Sequence, residues 1–73
     1  MKYYVWCSGL CDTHEFVEAT SHRDAVAVVG RMWKAHHHGE IMHVNVQMAD
    51  PYTSTRRYFV RFKRDGWTEF LPR

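Results

Sequence analysis

Cys7, Cys11 and His14 are the residues whose types and spacing come nearest to metal chemistry. Two thiolates and an imidazole are zinc ligands, and His36, His38 or His43 would complete a tetrahedral set. Compact zinc modules carry two tight ligand pairs, and here the second pair is diffuse, so the spacing reads as ordinary reduced thiols in a hairpin loop. The run His36-His37-His38 lies where a helix should stop, and positive charge there is favoured by exposed carbonyls by about 0.3–1 kcal/mol. Cys7 or Cys11 beside His14 supplies at most two parts of a nucleophilic site, while Glu15, Glu18 and Glu69 form no recognisable acid–base pair. Gly9, Gly30, Gly39 and Gly66 are too scattered to cradle a phosphate. The expectation is a non-enzymatic chain with no cofactor and no resident metal.

Binding chemistry has more material. Arg57, Phe59, Arg61 and Lys63 alternate along one segment, so in a strand they share a face and set an aromatic ring among cations. That pattern suits base stacking with phosphate contacts, although the glycines of the RNA-recognition signature are missing. Charge is uneven: residues 1–50 hold four Lys/Arg against six Asp/Glu, and residues 51–73 hold six against two. A basic end of this kind meets phosphate or an acidic protein. The isoelectric point of 8.7 stays below the value of about 9 typical of a dedicated duplex binder. Six histidines would raise the formal charge from +2 towards +8 on full protonation.

The elements that must position these residues follow from pattern. Residues 2–7 are rich in aromatic and β-branched types and read as a strand, and residues 14–20 alternate as a second, with 8–13 as the loop between them. Ser21 with Asp24 three residues later resembles a capping box. Val26, Val29 and Trp33, flanked by Ala25, Val28 and Met32, make one apolar helical stripe that ends near His36–His38, with Gly39 as a left-handed stop. Residues 41–48 alternate as strand three, 50–54 form a turn, and 57–63 form strand four. Asp65-Gly66 predicts a tight hairpin into a fifth strand over 67–71.

The order ββαβββ predicts a single α+β domain over residues 1–73, an antiparallel sheet packed on one face by a single helix. One helix covers one face only. Val17, Ala19, Met42, Val44, Val46, Tyr58, Val60 and Phe62 suit the covered side. Phe16, His43, Asn45, Gln47, Arg57, Phe59, Arg61 and Lys63 suit the bare side, joined by Tyr4 and Trp6 or by Tyr3 and Val5 according to register. Eleven aromatics in 73 residues exceed what so small a core holds, so some are expected on the bare face. Contiguous aromatic exposure marks interaction sites.

The stretch Phe16-Val17-Glu18-Ala19-Thr20-Ser21-His22-Arg23-Asp24-Ala25 and the closing Phe62-Lys63-Arg64-Asp65-Gly66-Trp67-Thr68-Glu69-Phe70 give a layout similar to small phage-encoded anti-CRISPR proteins. That resemblance implies a non-catalytic inhibitor occupying the surface of a host protein or nucleoprotein complex. Partner contact is expected from Arg57, Phe59, Arg61, Lys63 and Arg64, followed by Trp67 and Trp6, since Arg and aromatic side chains are the usual interface anchors. The alternatives are a single-stranded nucleic-acid binder and a homodimer that buries the bare face. No run approaches a membrane span, and the start lacks a signal-peptide core, so the cytoplasm is the expected location.

Overall fold

The computed structural model describes residues 1–8, 14–37, 39, 41–49 and 55–72. The chain runs β1 (Lys2–Ser8), β2 (His14–Glu18), α1 (His22–His37), β3 (Ile41–Met48), β4 (Arg56–Phe62) and β5 (Thr68–Phe70). The five strands form one antiparallel sheet in the order β2-β1-β3-β4-β5, with a single helix, an α+β fold of order ββαβββ. Because β2 and β3 both run antiparallel to β1, they are parallel to each other, and α1 carries the chain across the strand between them.

The core lies between α1 and one face of the sheet. Val5, Val44, Val46, Val60 and Phe62 from the strands meet Ala25, Val26 and Val29 from the helix, all fully enclosed. Tyr3 and Val5 are buried, which fixes the register of β1 and sends Tyr4 and Trp6 to the other face. Met32 does not join the helix stripe and is 49% exposed. At about 100° per residue it sits roughly a quarter-turn off the buried line through Val26, Val29 and Trp33.

The helix start is capped as the sequence suggests, with one change. Ser21 Oγ accepts from the Asp24 amide at 3.0 Å, while the Asp24 carboxylate accepts from the Thr20 amide at 2.9 Å and hydroxyl at 3.2 Å. This bond draws Thr20 into the cap, so β2 stops at Glu18 instead of reaching residue 20. Gly39 takes φ +83°, the left-handed conformation expected of a helix stop, and its amide donates to the Phe62 carbonyl at 2.7 Å.

The closing hairpin is wider than the sequence suggests. Lys63 N–H donates to the Trp67 carbonyl at 2.8 Å, leaving Arg64, Asp65 and Gly66 as a three-residue loop. Gly66 N–H closes a turn on the Lys63 carbonyl at 3.0 Å, and Gly66 itself has φ +94°. Arg64 and Asp65 have no positive φ, so this is a type I turn followed by a left-handed glycine, not the two-residue primed turn. Asp65 Oδ1 accepts from the Trp67 amide at 2.9 Å and stiffens the exit.

Candidate functional site: the bare face of the sheet

Alternation along the strands sets out the uncovered face in rows that cross the sheet. One row runs Phe16, Tyr4, Gln47, Thr55; the next runs His14, Trp6, Asn45, Arg57. A third joins His43 to Phe59, and a fourth joins Ile41, Arg61 and Glu69. Side chains directly opposite in such rows stand about 4.5–5.5 Å apart at Cβ, close enough to interact.

The β1–β2 half is aromatic. The Tyr4 ring lies 5.1 Å from Trp6, 4.8 Å from Phe16 and 5.9 Å from His14, centroid to centroid. Tyr4 and Trp6 are half-buried, while Phe16 is 53% exposed. Across β3, His43 and Phe59 form a second ring pair at 4.1 Å. These contacts put ring area against ring area and leave the outer surfaces to solvent, an apolar patch with a polar surround.

The β4–β5 half is cationic but largely engaged. Arg57 Nε donates to Asn45 Oδ1 at 3.0 Å, and Asn45, only 3% exposed, sits at the centre of the face. Glu69 Oε1 accepts from Arg61 Nη1 at 3.4 Å and pairs with Lys63 Nζ at the same distance. Pairs this exposed contribute about 0–1 kcal/mol each, so they orient the cations more than they stabilise the fold.

The residues singled out from sequence are thus divided. Trp6, Arg57, Phe59 and Arg61 share the bare face, with Lys63 at its end, where β4 gives way to the hairpin. Arg64 is exposed within that hairpin. Trp67 stands just before β5: 70% exposed, it lines a groove with Arg23 and Arg31 of the helix at the outer edge of the sheet. Sequence reasoning passed over Tyr4 and His14 as contact residues, although the aromatic character of β1 was visible. It also passed over Glu69, whose position opposite Arg61 depends on the three-residue loop.

Of the zinc alternative, Cys7 is buried in the core and His14 is exposed on the bare face, while Cys11 and His38 lie outside the described residues. Among the described residues no group of three or more His, Cys, Asp or Glu is placed to hold a metal. Among those residues, no helix is long and apolar enough to cross a membrane. The turn expected at 50–54 also falls outside them.

No protein family, curated protein or solved structure matches the chain.

Proposed function

We propose that this chain is a non-catalytic binding protein whose bare sheet face docks on a protein partner. The observation that carries the reading is the continuous aromatic cluster of Tyr4, Trp6, His14 and Phe16, with the His43–Phe59 pair beside it. Interface centres are rich in aromatic and Arg side chains and ringed by polar groups, and this face has that composition. The partner class that fits the resemblance is a host protein or nucleoprotein complex, met by an inhibitor of phage or mobile-element kind.

A protein partner is favoured over single-stranded nucleic acid because the cations flanking Phe59 already have partners in Asn45 and Glu69. Phosphate contact would have to displace those bonds. The nucleic-acid reading keeps one supporting observation, the His43–Phe59 ring pair between Arg57 and Arg61, a platform on which a base can stack. A homodimer burying the same face is the third reading.

The test is capture from host lysate by the immobilised chain, with and without nuclease, alongside the solution mass. The proposal predicts a monomer near 8.7 kDa and a partner retained after nuclease and lost with Phe59→Asp or Arg61→Glu. Binding that vanishes with nuclease, together with oligonucleotide affinity falling steeply between 50 and 200 mM salt, would support the nucleic-acid reading instead. A doubled mass abolished by Phe59→Asp would support the dimer.

A further inference from the structure

At the outer edge of the sheet a groove of about 480 Å³ runs between α1 and β5. Its helix wall carries Arg23, Ala27 and Arg31, and Trp67 lines it from the hairpin. Its other wall is the outer edge of the sheet, since β5 pairs only with β4 among the described strands. Lys63 pairs with Trp67 and Phe59 with Leu71 through backbone hydrogen bonds, so residues 67, 69 and 71 turn their peptide groups towards β4. By the alternation of an antiparallel ladder, the amide and carbonyl groups of Thr68 and Phe70 point outward. Such an edge is a template for another strand.

We infer that this groove binds an extended acidic segment of a partner protein, which adds as a sixth strand along β5. Charge selects the occupant. Arg23 and Arg31 are both exposed, and among the described residues neither has a carboxylate within ion-pair reach. Arg23 instead lies over the Phe70 ring at 4.0 Å, which holds its guanidinium above the edge strand. Glu69, the one acid among the described residues that line the groove, is neutralised by Arg61 and Lys63.

Spacing narrows the sequence of the occupant. Arg23 and Arg31 are eight residues apart, about 12 Å along the helix axis. In an added strand, side chains on one face recur every second residue, and residues four apart are separated by about 13 Å. The two arginines therefore match acidic residues at i and i+4. Between them Ala27 leaves room for an apolar side chain at i+2, in the groove that Trp67 also lines. The expected ligand has the form acidic-x-apolar-x-acidic, held by main-chain bonds to Thr68 and Phe70 as in other strand-addition complexes.

The experiment is selection of a random dodecapeptide library displayed on yeast against the intact chain, followed by hydrogen exchange with the best peptide. The inference predicts enrichment of acidic residues four apart and about ten-fold or greater slowing of exchange at the Thr68 and Phe70 amides. It also predicts about ten-fold or greater loss of affinity in Arg23→Glu/Arg31→Glu. Arg31→Glu alone, which leaves the Arg23–Phe70 contact in place, should give part of that loss, and Phe59→Asp should give none. Failure to enrich any peptide, peptides that bind the double variant equally well, or peptides lost with Phe59→Asp would each overturn it. A second copy of the chain occupying the edge, seen as a doubled mass lost in Arg23→Glu/Arg31→Glu, would overturn it too.

Discussion

Replacing Gly30 by alanine sets two effects of opposite sign against each other. In an open helix the change would stabilise by about 1 kcal/mol, because glycine is the poorest ordinary helix former. Here an added Cβ would stand 2.8 and 2.9 Å from Cδ1 and Cε1 of Phe62, and closer still to the Thr68 hydroxyl. Phe62 is fully buried and edge-on to Trp33 at 6.1 Å, and Thr68 is buried under the helix, so neither has an easy retreat. Overpacking costs about 1–3 kcal/mol, and contact with two enclosed side chains belongs at the upper end. Net destabilisation should therefore be about 2 kcal/mol, a large share of the roughly 3–5 kcal/mol a core this size supplies. At about 4–8 °C per kcal/mol the melting temperature should fall by about 8–16 °C in a circular dichroism melt. The double variant Gly30→Ala/Thr68→Ala should recover part of the loss, with a coupling above about 0.5 kcal/mol. A rise in melting temperature for Gly30→Ala would refute the close seating of α1 on β4 and β5.

Other outcomes follow from burial and charge. His22 packs edge-on to Tyr3 at 5.1 Å, and its enclosed Nε2 has no hydrogen-bond partner among the described residues. Burial, aided by the Arg56 charge, holds its pKa below the ordinary value of 6.5. The unfolded chain therefore binds the proton more readily, so stability is full above about pH 6.5 and is lost as pH falls from there towards the folded value. Melting temperatures from pH 7.5 to 5 should show a shallower fall in His22→Phe than in the parent. Truncating Phe62, a fully buried side chain, to alanine should cost about 3–5 kcal/mol and leave little folded protein at 37 °C by circular dichroism. Phe59→Asp, on the solvent side of the same strand, should leave the melting temperature within about 3 °C while removing partner binding.

Much of this architecture is written in local pattern. The alternation of Met42, Val44 and Val46 with His43, Asn45 and Gln47 separates the two faces of β3 without any knowledge of its neighbours. Ser21 and Gly39 mark the helix ends because capping is chemistry within a few residues. Strand order and register are not local. Nothing in residues 2–8 states that β1 sits between β2 and β3, or whether Tyr3 or Tyr4 faces the helix; pairing partners more than thirty residues away decide both. The candidate site shows the same division. Arg57, Phe59 and Arg61 share a face by period two, but Glu69 reaches Arg61 and Lys63 only because the hairpin loop holds three residues. A two-residue loop would set Arg61 opposite Phe70 and reverse every side chain of β5. The groove brings Trp67 together with Arg23 and Arg31, helix residues more than thirty positions earlier, which is why it was not legible in the sequence.

Hydroxyl-radical footprinting, read residue by residue with and without the captured partner, tests most directly whether one side of the sheet is open and used. The account predicts faster oxidation of the exposed Phe16 and the half-buried Trp6 and Phe59 in the isolated chain than of the buried Tyr3, Trp33 and Phe62. Partner binding should then protect Trp6, Phe16 and Phe59 together. Slow oxidation of those three in the isolated monomer, or unchanged reactivity in the complex, would contradict it.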